Sequence, residues 1–205
     1  MATETKRKKG VMRTLSGKEI DLQNFRPEDV WLPDIARSLS FAIRFNGHIE
    51  WGYTVAEHCI IASRIASGEH KLEALLHDAG ETYVGDIILP FKEVVDGLDD
   101  FENHITATIF NTLYPRNELT FGDTYTKSIY MQVLDRNMAV WESRLLRPTL
   151  TPDLAKSEMY DKFLTEYGIL QKQWGNMGEY RALPAKALAQ AYINEYKRII
   201  EIYGY

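Results

Sequence analysis

The chain has 205 residues, 45% of them hydrophobic, and a formal net charge of −5 at pH 7. That length supports one sizeable core and a single domain, and the negative charge argues against a general duplex-binding protein, whose phosphate contacts need a basic face. The single cysteine, Cys59, excludes an intramolecular disulfide and a thiolate zinc cluster, and no apolar run approaches the roughly 18 residues of a membrane span.

Residues 1–10 read as a solvated, disordered basic tail carrying Lys6-Arg7-Lys8-Lys9. The tail lacks the apolar stretch of a signal peptide, so a cytoplasmic location is expected. "MRTLSGKEIDL" predicts two short strands joined at Ser16-Gly17. Pro33 opens a helix over "PDIARSLSFAIRF". Thr54 and Glu57 form a capping-box pattern for a helix running to about Gly68. "HKLEALLHD" continues as a helix, Pro90 starts another over "PFKEVVDGL", and "DDFENHITATIFNTLY" is stopped by Pro115. A long helix is expected from about Thr124 to Leu146, ended by Pro148. "SEMYDKFLTEYG" and "PAKALAQAYINEYKRIIEIYG" complete an all-α domain over 1–205 with a minor hairpin. Residues 148–205 supply helices for packing or oligomerisation, and their Tyr, Leu and Ile content predicts a homo-oligomer.

Polar residues set into apolar helix faces carry the chemistry. His58 shares a face with Val55, Ile61, Ala62 and Ile65, and Asp135 shares one with Met131, Met138 and Ala139. His77-Asp78 follows the apolar run "ALL". A lone buried histidine is ordinarily a hydrogen-bonded core residue, whereas an aspartate in an apolar stripe needs a partner. A divalent cation held by His58, His77, Asp78 and Asp135 neutralises both acids and satisfies both imidazoles. Mixed nitrogen and oxygen ligation suits Co, Mn, Zn, Ni, Fe or Mg, and ligand identity does not choose among them.

The order His58, His77-Asp78, Asp135 resembles the H…HD…D signature of the HD-domain metal-dependent phosphohydrolases. "HDAGETYVGDIILPFK" is similar to the HDxxExxxGDxxxPxK stretch of their nucleotidase branch, with Glu81, Asp86 and Lys92 at matching offsets. "RTLSGKEIDL", "DIARSLSFAIRFNGH" and "YTVAEHC" resemble the dATP triphosphohydrolases of phages whose genomes carry 2-aminoadenine. The likeness runs from about Arg13 to about Arg144.

The resemblance implies hydrolysis of dATP to deoxyadenosine and triphosphate, with metal-activated water attacking the α-phosphorus, in the host cytoplasm of a phage-encoded enzyme. It also implies that Glu81 orients or deprotonates that water, that Asp86 lies near the sugar or a second metal, and that Arg44 and Lys92 meet phosphate oxygens. Relatives carry a lysine three residues before the last metal aspartate. Here that position is Gln132, so either Lys127 covers the phosphates or the polyphosphate tail is held differently. "IRFNGHIEWGY" borders the nucleoside pocket in the family. Its Arg44, Phe45, Asn46, His48, Trp51 and Tyr53 suit base stacking and edge recognition, though Phe45 and Trp51 suit a core equally well. Ile43 and Asn46 are candidates for a wall against the purine C2 edge. His70 and His104 read as surface residues. Two further readings stay open: a 5'-deoxynucleotidase releasing phosphate from dNMPs, and a non-catalytic nucleotide-binding module. Neither a membrane nor sequence-specific nucleic acid is an expected partner.

Overall fold

The computed structural model describes residues 9–114, 124–149, 157–174 and 184–204. Most of the basic tail, residues 1–8, lies outside them, as does Pro115. The fold is all-α with a small N-terminal hairpin. Strands β1 (Val11–Arg13) and β2 (Glu19–Asp21) pair antiparallel with Met12 opposite Ile20. Ile20 is fully buried and fixes which face of the hairpin meets the core.

Helix α1 (Leu32–Leu39) is shorter than expected. Ser40, which caps its C-terminal end, turns its hydroxyl back onto the Ala36 carbonyl at 2.6 Å. The chain then leaves the helix because Ala42 and Arg44 pair with the strand-like entry to the next helix: Val55 N donates to Ala42 O at 2.9 Å and Arg44 N donates to Tyr53 O at 3.0 Å. A backbone pairing between residues distant in sequence thus overrides a favourable local helix pattern.

Helix α2 (Val55–Ile65) begins at the expected capping box, with Glu57 N donating to Thr54 Oγ1 and Thr54 N donating to Glu57 Oε2 at 2.9 Å. Nearly every residue of α2 is buried, so it is the central helix. It packs against α3 (Lys71–Leu76), α7 (Ile129–Leu146), α8 (Glu158–Trp174) and α9 (Ala185–Tyr203). Between α3 and α7 the chain forms the short α4 (Glu81–Val84) and α5 (Leu89–Lys92) and the longer α6 (Leu98–Leu113).

The expected helix through "HKLEALLHD" ends at Leu76, and His77-Asp78 sits in the turn that follows. Ala79 N bonds Leu76 O and Glu81 N bonds Asp78 O, three-residue steps that tighten the chain before α4. Gly80 makes this turn fit: a Cβ there would lie 2.2 Å from Thr106 Oγ1 and 3.1 Å from the Glu102 carbonyl, both on α6. Helix α7 starts at Ile129, capped by Ser128, not near Thr124. Glu73 of α3 accepts from Ser128 N, Ser128 Oγ and the Tyr125 hydroxyl, which holds residues 125–128 outside the helix.

The C-terminal helices belong to the core. Tyr192 of α9 donates to the Leu75 carbonyl at 2.6 Å, and Leu188 and Ile199 are fully buried against the same cluster. Helix α8 continues past the expected glycine to Trp174. Among the described residues, no helix is long and apolar enough to cross a membrane.

Candidate metal centre

Four side chains from α2, the turn after α3, and α7 converge. One ligand atom from each of His58, His77, Asp78 and Asp135 lies within 4.8 Å of all the others. His58 Nε2 stands 3.1 Å from His77 Nε2 and 3.3 Å from Asp135 Oδ1, while His77 Nε2 stands 3.1 Å from Asp78 Oδ2. Both histidines are buried, and the Asp135 side chain is 25% exposed, which leaves the cluster one open side.

The far nitrogens set the tautomers. His77 Nδ1 lies 2.9 Å from the Ala74 carbonyl, and His58 Nδ1 lies 2.6 Å from Glu142 Oε1. Each position faces an acceptor, so in the neutral form of each imidazole Nδ1 carries the proton and donates it, and the Nε2 lone pair points at the cluster. Two lone pairs and two carboxylates facing one another repel unless a cation lies among them. The donor set therefore fits a divalent ion of the nitrogen- and oxygen-preferring kind.

The surrounding charge agrees with this. Arg44 feels Glu142, Asp78, Glu81 and Asp86, and Lys127 feels Asp78 and Asp135. Carboxylates thus outnumber the Arg44 and Lys127 cations around the cluster, which favours a further positive charge among them. Burial and the Arg44 charge pull the His58 imidazole down, but Glu142 and Asp135 outweigh them and push it up to about 9. Protons and a metal therefore compete for the same nitrogens. Burial opposes ionisation of Asp135, yet the two histidines, which donate to it once they take a second proton, and the Lys127 charge hold its carboxyl far below the usual range.

Lys127 donates to Asp78 Oδ1 at 3.2 Å and to Asp135 Oδ2, occupying the outer oxygen of each carboxylate while Asp78 Oδ2 and Asp135 Oδ1 face the histidines. It reaches both because residues 125–128 stay out of α7. Gln132, three residues before Asp135, is exposed and donates to the Lys127 carbonyl.

Glu81 is 6% exposed, and its Oε2 has no hydrogen-bond partner among the described residues. Burial first, then the charges of Asp78 and Asp86, raise its carboxyl well above the ordinary range. Asp86 is half-buried; burial raises its carboxyl, and Arg44 opposes this. Arg44 itself is nearly buried, donating from Nε to Glu142 Oε2 at 3.0 Å with its NH1 3.6 Å from Asp78 Oδ2. Lys92, expected on phosphate, pairs with Glu102 of α6 at 2.7 Å.

Phe45 and Asn46 adopt left-handed backbone, φ 56° and 52°, and Phe45 lies under the Arg147 guanidinium. Asn46, His48 and Ile43 are exposed beside this turn. Trp51 donates to the Tyr167 hydroxyl of α8, and Tyr53 is fully buried, which makes both structural anchors. His104 is exposed as expected, but His70 is half-buried and stacks on Tyr130 with ring centres 4.1 Å apart. A cleft of about 320 Å³ between the hairpin and α1, lined by Leu15, Arg37, Phe41 and Thr82 among others, contains none of the four ligands.

Sequence reasoning missed Glu142, which is fully buried and accepts from His58, Tyr53 and Arg44. The available signal was its spacing: seven residues after Asp135, it falls on the same face of the same helix.

No family model matches the chain. The uncharacterized protein YfdR of Escherichia coli (strain K12) is 38% identical over 98 residues, which cover 48% of this chain and 55% of that protein. An uncharacterized protein of Rhodobacter capsulatus is 36% identical over 112 residues, covering 50% of this chain and 57% of that protein. The match thus spans little more than half the length of either relative, and neither name carries an activity.

Proposed function

We propose that the protein is a metal-dependent deoxynucleotide phosphohydrolase of the HD-domain class, with dATP as its substrate and deoxyadenosine and triphosphate as its products. The observation that carries this reading is the four-ligand cluster beside a buried carboxylate, Glu81, whose Oε2 is unpartnered among the described residues. His58, His77, Asp78 and Asp135 would hold the ion. When bound, the ion supplies a charge that makes a ligated water acidic near neutral pH and stabilises negative charge on phosphoryl oxygens.

The chain's own groups then divide the remaining work. Glu81, with its raised proton affinity, accepts the proton that the attacking water gives up. Arg44 keeps its charge and, with Nε held by Glu142, offers its distal N–H groups to phosphate oxygens. Lys127 steadies both metal carboxylates and adds positive charge at the open side. Asp86 lies within electrostatic reach of Arg44 and is assigned to the sugar side.

A second reading, removal of phosphate from deoxynucleoside monophosphates, draws on one observation. Lys92 is paired with Glu102, and Lys127 with Asp78 and Asp135, so both lysines expected to meet a polyphosphate tail are already engaged. Incubation of the purified protein with Mn or Co and either dATP or dAMP separates the readings. Inorganic triphosphate from dATP supports the first and orthophosphate from dAMP the second. No turnover of either would refute both and leave a nucleotide-binding module.

A further inference from the structure

We infer that Glu142 is a positioning residue that ties metal ligation to anion binding, holding His58 for the ion with one carboxylate oxygen and Arg44 for the substrate with the other. The inference rests on the metal-centre reading above and extends it to a residue two turns along α7 from Asp135.

Glu142 is a fully buried carboxylate, and such a group is stable only when its lone pairs are met. Its Oε1 accepts from His58 Nδ1 at 2.6 Å and from the Tyr53 hydroxyl at 3.0 Å, and its Oε2 accepts from Arg44 Nε at 3.0 Å. The 2.6 Å bond meets the imidazole at Nδ1, across the ring from the cluster, so it selects the tautomer whose Nε2 lone pair faces Asp135 and His77. The bond to Arg44 fixes the inner end of a guanidinium whose NH1 is 3.6 Å from Asp78 Oδ2. Asp78, His58, Glu142 and Arg44 therefore lie around one ring, joined by the two Glu142 bonds and by 3.6 Å approaches of Asp78 to His58 and Arg44, and moving Glu142 displaces both a metal ligand and the nearest cation for an anion.

Glutamine at position 142 would keep the volume and break the ring. Whichever way the amide turns, its NH2 faces a donor: Arg44 Nε on one side, or His58 Nδ1 and the Tyr53 hydroxyl on the other. The experiment uses Co(II) as a visible probe. In Glu142→Gln the affinity for Co(II) should fall by about 10- to 100-fold, the scale of a lost partner to a metal-bound histidine. Inorganic phosphate, read by its perturbation of the Co(II) spectrum, should also bind at least about tenfold more weakly once the Arg44 arm is released. A smaller loss in either measurement overturns the inference.

Absence of Co(II) binding in the unaltered protein refutes the metal reading itself, a failure distinct from tight binding that Glu142→Gln leaves intact. If that variant does not fold, the ¹⁵N spectra of the Zn-loaded unaltered protein carry the test. His58 protonated at Nδ1 and an Arg44 Nε–H protected from exchange are expected. A proton on Nε2 of His58, or a freely exchanging Arg44 Nε–H, overturns the inference.

Discussion

The glycine of "HDAGE" offers a direct test of how the metal turn is seated. Gly80 has φ −60° and ψ −30°, a helical conformation that alanine adopts without strain, so helix propensity alone favours Gly80→Ala by about 1 kcal/mol. Packing opposes it. The new methyl would lie 2.2 Å from Thr106 Oγ1, 3.1 Å from the Glu102 carbonyl and 3.3 Å from Glu102 Cγ. Thr106 is 1% exposed, so it has little room to turn its hydroxyl away, and the carbonyl belongs to the α6 backbone. Overpacking of this kind costs about 1–3 kcal/mol, and the closest contact puts the cost at or above the top of that range. The net expectation is a destabilisation of about 2 kcal/mol, or a Tm lower by about 4–8 °C at this chain length.

The assay is urea unfolding followed by circular dichroism, run beside Co(II) titration, because shifting the turn also moves His77 and Asp78. Thr106→Ala removes the nearest atom, so the double variant should regain much of the lost stability in a mutant cycle. A Gly80→Ala protein as stable as the unaltered one, with undiminished metal affinity, would show that the turn is not pressed against α6 and would refute the reasoning.

Replacing His77 or Asp78 with Ala should remove bound metal and turnover together while the helical dichroism persists, and metal analysis of the purified variants checks this. Glu81→Gln should keep the ion and lose roughly 10²- to 10⁴-fold in rate; loss of the ion would make Glu81 a ligand instead. Because burial, Asp78 and Asp86 raise the Glu81 carboxyl, and its ionised form accepts the proton, the rate should climb with pH through a limb above the ordinary carboxylate range. A pH–rate profile in which Glu81→Gln retains that limb would assign it to another group. On the proposed reading the protein should hydrolyse dATP and spare its 2-amino analogue, and Ile43→Gly or Asn46→Gly should narrow the preference; equal rates on both nucleotides in the unaltered protein would remove the dATP reading. Light scattering at micromolar protein should give the mass of a homo-oligomer, and a monomeric mass would count against the C-terminal helices as an assembly surface.

Much of the fold is legible from local chemistry. The Thr54–Glu57 capping box, the Ser16-Gly17 hairpin and the apolar stripes of α2, α6 and α9 depend on residues within a turn or two of each other, so periodicity and capping suffice to find them. The four members of the cluster were legible for a related reason: an imidazole or carboxylate on an apolar face is costly without a partner, and the cost shows in the sequence before the partner does. What the tertiary structure decided was wherever a distant group outbid a local preference. Helix α1 stops at Leu39 because Ala42 and Arg44 bond to residues 53–55, and α7 starts late because Glu73 captures Ser128 and Tyr125. That late start frees Lys127 to reach both metal carboxylates. Lys92 turned to Glu102, and Glu142 became the hub of His58, Tyr53 and Arg44, because buried charges are satisfied by whichever opposite group the packed helices bring within hydrogen-bond reach, and linear spacing does not encode that proximity.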